Sequence, residues 1–442
     1  MQPLRKKISG KSKTGNSSWF VVLLSALAIS MNNYIFNLEW FGQIKNKSHS
    51  FACGPTLLKT NYFLFMIHIT LRRIILVLAV AIINVSAIAQ NLIKIDSGMI
   101  NGAKYKILFP ATWNKKLVMY AHGYEFEGSP SGNDNPGFVK NMSPFLERGF
   151  AVAASAYSHQ GWALPDGIEN TEELRKYFFK KYGKPDTSFI AGTSMGGGVA
   201  LGTIENFSQY YHGAFPMCPF ASRPYLIIRK EFDLIASFNV FFPGIMPSLS
   251  QIFDTTVTVF KLNFGAVFKK ADEIKDKLKT DSLTAALLAK RFDLKLQDLA
   301  FSVLFGEGVL RDIARKAHGN PFDNTNTVYA GFPDDWKMNN EVQRMVAAPG
   351  TVKFLDKYDR TGMLTKPVLM LHTVYDNLIP ASYAVTNYDN LVHQKGTDKY
   401  LVVRYTNGQG HCNFTPQQIG AAFDALRVWA ATGQRAAPGR IE

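Results

Sequence analysis

Gly192-Thr193-Ser194-Met195-Gly196-Gly197-Gly198 follows the apolar run Ser188-Phe189-Ile190-Ala191 and opens a segment, Val199 to Asn206, that reads as a helix. This is the strand, tight turn and helix that a Gly-x-Ser-x-Gly nucleophile elbow needs. Small residues two before and two after the serine let the backbone fold sharply, and the hydroxyl is held at the tip of the turn beside the positive end of the helix. With Gly and Ser each near 7% usage, a bare match arises by chance in roughly one chain in seven of this length. The flanking elements and the partners downstream therefore carry the reading.

Downstream, Pro367-Val368-Leu369-Met370-Leu371-His372 reads as a buried strand, with Asp376 a few residues past it in a loop closed by Pro380. Leu401 to Tyr405 reads as the last strand, and Gly408-Gln409-Gly410-His411-Cys412 is the loop after it. Ser194, Asp376 and His411 thus stand in the order serine, acid, histidine, each just after a strand. In this arrangement the imidazole takes the serine proton and the acid orients the imidazole. Other groups compete: His372 precedes the acid, His393 precedes the last strand, and Asp356, Asp359 and Asp389 are spare acids. None fits the order as well.

Upstream, Leu117 to Tyr120 reads as a strand ending in Ala121-His122-Gly123-Tyr124. The backbone N–H groups of Tyr124 and Met195 are the candidates for an oxyanion hole, where fixed dipoles meet developing charge. Tyr157-Ser158-His159-Gln160-Gly161-Trp162 follows the strand Phe150 to Ser155, at the edge where ligands bind in open α/β sheets, so His159 and Trp162 are candidates for the substrate pocket.

Further strands are expected at Leu92 to Ile95, Tyr105 to Phe109 and Gly213 to Cys218. Helices are expected from Phe138 to Arg148, after Thr171 as an N-cap, and from Thr415 to Ala431 with Gly433 at its end. Strands and helices alternate in steps of about thirty residues, which implies right-handed crossovers and a mostly parallel twisted sheet flanked by helices. From Ser222 to Gly350 the rhythm changes to long helical stretches, Ala271 to Lys279, Ser282 to Phe292 and Asp298 to Phe305, with aromatic-rich pieces such as Phe238 to Pro243 between them. This reads as an inserted helical cap over the site. Asn320-Pro321-Phe322-Asp323-Asn324 has no chemistry assigned to it.

The formal charge of +15 invites a nucleic-acid reading. Residues 1–89, however, hold ten of the 49 Lys and Arg and one of the 34 Asp and Glu, leaving a body with 39 basic and 33 acidic residues. The excess argues for targeting rather than for nucleic acid. Arg72-Arg73, the apolar run Ile74 to Ile83 and Ala87-Ile88-Ala89-Gln90 have the three parts of a secretory signal, with cleavage after Ala89. Residues 1–65 read as an upstream extension and 66–89 as the signal. The alternative is a membrane anchor, with membrane contact only through this segment. Either reading puts the body outside the cytoplasm, periplasmic or secreted. Cys53, Cys218 and Cys412 have no metal-ligand spacing, so neither a metal nor another cofactor is expected.

At these residues the chain resembles the α/β-hydrolase superfamily over about Leu92 to Ile441. The resemblance implies a core of residues 90–221 and 351–442 with a cap at 222–350. His411-Cys412, Trp429 to Gly433 and Ala437 to Ile441 also resemble the tannase and feruloyl-esterase group, where a cysteine follows the catalytic histidine. That group has a second cysteine directly before its serine, whereas Thr193 stands here. Cys218 is the other cysteine of the exported body, and a Cys218–Cys412 bond and two buried thiols both fit the sequence. The expected function is an exported serine hydrolase cleaving small-molecule or polysaccharide-linked carboxylic esters, with a serine peptidase on the same fold as the alternative.

Overall fold

The computed structural model describes residues 94–256 and 264–442. The extension, the signal segment, Cys53 and the first two residues of the strand expected at Leu92 to Ile95 lie outside the described residues.

One nine-stranded sheet carries the chain. Its strands are β1 (Lys94–Ile100), β2 (Ala103–Phe109), β3 (Lys116–Ala121), β4 (Phe150–Ser155), β5 (Thr187–Thr193), β6 (Gly213–Met217), β7 (Val368–Tyr375), β8 (Leu401–Gln409) and β9 (Gly439–Arg440). Their spatial order is β1-β2-β4-β3-β5-β6-β7-β8-β9. Asn101-Gly102 turns the β1–β2 hairpin, and both residues have positive φ, as the tight primed hairpin turn requires. β2 pairs antiparallel with β4, and from β4 to β9 every pairing is parallel. β4, β5 and β6 are almost wholly buried apolar runs, the signature of strands covered on both faces. This is the mostly parallel, helix-flanked sheet that the sequence predicts.

The pleat sends alternate side chains to two cores. Ile107, Leu117, Met119 and Ile190 face one, and Leu108, Val118, Phe189 and Phe215 face the other.

The helices are α1 (Phe138–Asn141), α2 (Ser143–Leu146), α3 (Leu164–Tyr182), α4 (Met195–Phe207), α5 (Pro224–Phe241), α6 (Leu249–Ile252), α7 (Phe264–Lys279), α8 (Ser282–Arg291), α9 (Leu296–Ala317), α10 (Asp335–Glu341), α11 (Thr351–Leu355), α12 (Val385–Gln394) and α13 (Pro416–Thr432). Between β6 and β7 the described residues form helices and loops only, and α5 packs on α9 there. No helix among the described residues is long and apolar enough to cross a membrane.

Four expectations are corrected. The single helix from Phe138 to Arg148 is two short ones, because Pro144, in the first turn of α2, has no N–H to continue the ladder. Thr171 is not an N-cap: α3 begins seven residues earlier, at Leu164, with Pro165 in its first turn, and Thr171 is buried along it. The strand at Leu401 to Tyr405 runs on to Gln409 and is not the last, since β9 adds a short parallel pair at Arg404 and Tyr405. The aromatic piece Phe238 to Phe241 does not interrupt a helix but ends α5, an 18-residue helix. Asn320 and Asn324 are buried and hydrogen-bonded to the surrounding backbone, so that motif organises its loop. At the C-terminal end, α13 starts in a Thr415–Gln418 capping box and stops at Gly433, where φ is positive.

Candidate active site

β5 ends at Thr193 and α4 begins at Met195, so Ser194 alone makes the turn, with φ of 59° and ψ of −125°. A β-carbon on Gly192 would run into the carbonyl of Gly196, and one on Gly196 into the carbonyls of Ala121 and His122 at the end of β3. The two glycines of the motif are therefore needed for close backbone approach. Ser194 is tied to the neighbouring strand end from both sides: its N–H donates to Met217 O at 3.0 Å, and its carbonyl accepts from Phe220 N–H at 3.0 Å.

The structure brings Ser194, Asp376 and His411 together. Ser194 Oγ is 2.8 Å from His411 Nε2, and His411 Nδ1 is 2.8 Å and 2.9 Å from the two oxygens of Asp376. With Nδ1–H donating to the carboxylate, Nε2 is left to accept from the serine hydroxyl. Asp376 is buried, and its Oδ1 also accepts the N–H groups of Leu378 and Ile379 at 2.9 Å and 2.8 Å. Burial raises the carboxyl pKa, but the His411 hydrogen bond and charge and the Ile379 N–H outweigh it and hold the group below its ordinary value. Asn377 Oδ1 accepts the His411 N–H at 3.1 Å, which fixes the histidine loop to the acid loop.

Cys218, just past β6, and Cys412 form a disulfide, with Cα atoms 5.3 Å apart. Both residues have positive φ. Cys412 Sγ lies 3.6 Å from His411 Nε2, so the bond runs beside the imidazole. Cys218, His411 and Cys412 cluster closely enough to suggest a metal site, but the sulfurs are spent on each other.

Gly123 lies against the serine: a β-carbon there would stand 3.2 Å from Ser194 Cβ. The next residue is Tyr124, whose N–H has no hydrogen-bond partner among the described residues. The Met195 N–H opens α4, where no intrahelical acceptor exists. The His122 ring is stacked on Tyr157 at 3.9 Å, with Nδ1 2.8 Å from Gly123 O and 3.2 Å from Glu125. Burial pushes its pKa down.

The two pocket candidates differ in exposure. Trp162 is buried, and its ring meets Phe220 at 5.2 Å, one hydrogen bond from Ser194. The His159 ring is 68% exposed and pairs with Asp166 at 2.8 Å. The competing groups are also accounted for. His393 is exposed and pairs with Asp389, Asp359 pairs with Arg223, and Asp356 lies 4.0 Å from Arg223, a loose ion pair. His372 is buried with Nδ1 on Thr373 O.

Sequence reasoning missed the cap's contribution. α9 and the residue before it touch each site loop in turn: Lys295 reaches Gln409 beside the histidine, Ser302 reaches Asn377 O beside the acid, and Asp312 reaches Tyr124. It also missed Arg360, whose buried guanidinium donates to Gly198 O at 2.7 Å under the elbow helix. Neither has a local sequence signal.

No family model matches the chain. A curated relative, o-phthalyl amidase of Xanthobacter agilis, is 23% identical over 408 residues, covering 76% of this chain and 86% of the relative. An esterase of Pyrococcus furiosus is similar in structure, with a TM-score of 0.42 and 12% identity, covering 76% of this chain and 91% of that one. Brefeldin A esterase, a bacterial homologue of human hormone-sensitive lipase, has a TM-score of 0.39 and 12% identity, covering 78% and 77%.

Proposed function

We propose that this chain, which has the α/β-hydrolase fold, is a serine hydrolase that cleaves carboxylic esters through an acyl-enzyme. The observation that carries this reading is the position of His411, within 2.8 Å of both the Ser194 hydroxyl and the buried Asp376 carboxylate. In this reading Ser194 Oγ attacks the acyl carbon as its proton passes to His411 Nε2. Asp376 stays ionised and steadies the imidazolium through Nδ1–H. The charge that develops on the carbonyl oxygen is met by the N–H groups of Tyr124 and Met195, each donor worth about 2.7 to 4 kcal/mol. The imidazolium proton then goes to the leaving alkoxide, and a water molecule repeats the sequence to release the acid and restore Ser194.

A second reading, hydrolysis of amides at the same serine, is favoured by the curated relative, whose name makes it an amidase and which aligns over 76% of this chain. Peptidase activity is one form of it. Export belongs to the same proposal. It is supported by the basic, apolar and small-residue pattern from Arg72 to Gln90 and by a disulfide of the kind that oxidising compartments maintain.

The test is turnover by the full chain of short acyl esters, feruloyl esters, phthalyl half-amides and aminoacyl amides, with Ser194→Ala beside it. Ester turnover that vanishes in the variant is the expected result. Turnover of amides alone transfers the site to the second reading, and activity that survives in Ser194→Ala removes the serine mechanism.

A further inference from the structure

Asp312 belongs to the cap, yet its carboxylate is buried between the two loops that border the serine on the β3 and β4 side. It accepts the backbone N–H of Trp162, and the Tyr124 hydroxyl lies 3.4 Å from the same oxygen. It stands so close over Gly161 that a β-carbon there would overlap the carboxylate, and Gly161 has a positive φ that suits glycine alone. The Gly161 N–H in turn donates to Glu125 O at 2.7 Å, which joins the loop from Gln160 to Trp162 to the one from Gly123 to Glu127.

The surrounding charges hold Asp312 in that place. Arg315 donates to Asp312 at 2.8 Å and to Glu127, while Lys316 lies 3.1 Å from the Asp312 carboxylate and donates to the carbonyls of Gln160 and Trp162. A second grip is apolar. The Tyr124 ring packs edge-on against Phe126 at 5.3 Å and against Phe305 of α9 at 5.8 Å. Tyr124 is therefore clasped by one helix at its ring and at its hydroxyl, while its own N–H faces no protein acceptor among the described residues.

We propose that Asp312 is a positioning residue for the oxyanion site: through Tyr124 and Trp162 it fixes the direction of the Tyr124 N–H beside Ser194. The proposal rests on the serine-hydrolase reading above. A hydrogen-bond donor stabilises developing charge only if it is aimed before the charge appears, so a residue that aims it acts on the transition state rather than on substrate binding.

The test compares wild type, Asp312→Asn, Asp312→Ala, Tyr124→Phe and Ser194→Ala, each as the full chain, on p-nitrophenyl acetate and on a trifluoromethyl ketone that forms a tetrahedral adduct with serine. Loss of a whole oxyanion donor costs about 10²- to 10³-fold in kcat, so its misdirection in Asp312→Ala is expected to lower kcat by about 10- to 100-fold with KM within about twofold. The ketone should weaken by the same factor as kcat. Asp312→Asn, which keeps the shape and one acceptor, should recover part of the loss. Tyr124→Phe removes only the hydroxyl and should lower kcat by about threefold, with the thermal midpoint nearly unchanged.

A folded Asp312→Ala with unchanged kcat overturns the proposal, and so does a fall in kcat without a matching loss of ketone affinity. If Asp312→Ala does not fold, Tyr124→Phe decides, since it leaves the ion cluster intact, and an unchanged kcat there overturns the proposal. Ser194→Ala separates the two layers: activity in that variant sinks the serine reading itself, whereas an inert Ser194→Ala beside a fully active Asp312→Ala sinks this inference alone.

Discussion

Cys412 is bonded to Cys218, and its chain neighbour His411 is hydrogen-bonded to Ser194, so one cross-link holds the loop after β8 to the end of β6 at the point where the imidazole meets the hydroxyl. The same strand end receives the Ser194 N–H, at Met217 O. The disulfide therefore joins the backbone that carries the base to the backbone that anchors the nucleophile.

The Cys218→Ala, Cys412→Ala double variant is accordingly expected to lose both stability and activity, about 2 to 4 kcal/mol in the first from the freed chain entropy. Thermal melts and ester turnover with and without dithiothreitol check this. Wild type in reductant should approach the double variant, and the double variant should not respond. A wild type that keeps full activity after its thiols have been shown free would mean that the loop holds His411 without the bond.

Asp376→Asn should leave the fold in place and lower kcat by about 10⁴-fold, because an amide permits the wrong imidazole tautomer and cannot balance the imidazolium. It should also change acid stability. The Asp376 carboxyl is held below its ordinary value of 3.8 in the folded chain, so its contribution is present above the unfolded value and is lost as pH falls through the folded one. Denaturant titrations between pH 5 and pH 2 should show wild type losing a component that Asp376→Asn lacks.

Ser194, Asp376 and His411 are legible in the chain because each sits just past an apolar strand in a turn with its own chemistry, and the parallel sheet brings such positions to one edge. The cap's part is not legible in that way. Asp312 and Trp162 lie 150 residues apart, and nothing local in α9 marks Asp312 as different from Glu307 or Asp298, which face other partners. Arg360 likewise serves an elbow helix that lies 162 residues away in sequence at Gly198. Pro165 marks the first turn of α3, whereas Thr171 has the residue type of a cap and only tertiary burial shows that it is an interior position.

His122, His372 and His212 set a second pH window. Burial pushes the pKa of each imidazole below 6.5, and it outweighs Glu125 beside His122 and Asp376 beside His372, which act in the other direction. The unfolded chain therefore binds more protons than the folded one as the pH falls. Their contribution is complete above the unfolded value and is lost progressively below it, by up to about 1.4 kcal/mol per pH unit for each of the buried rings of His122 and His372. Stability measured from pH 7.5 to 5 should decline, and His372→Gln should show a shallower slope than wild type. An unchanged slope in that variant would assign the decline to other groups.

Lys230 and Glu231, consecutive residues of α5, are both buried, with Nζ 3.2 Å from Oε1 and the second Glu231 oxygen without a partner among the described residues. That oxygen lies where a β-carbon on Gly306 of α9 would stand 2.8 Å away, so the pair sits in the contact between the two main cap helices. Burial raises the Glu231 pKa in spite of the lysine. Removing one member of such a pair strands the other: Lys230→Met should destabilise by about 3 to 5 kcal/mol, while Lys230→Met with Glu231→Leu should return near wild type. The single variant carries a further signature. An unpaired buried carboxyl is raised still more, its folded form takes up a proton that the unfolded chain does not, and so the variant should gain stability as the pH falls from 7.5 to 5.5. Urea midpoints for the single and double variants across that range decide it. A single variant that stays as stable as the double at both pH values would mean that water reaches Glu231 and that the pair contributes little to holding α5 on α9.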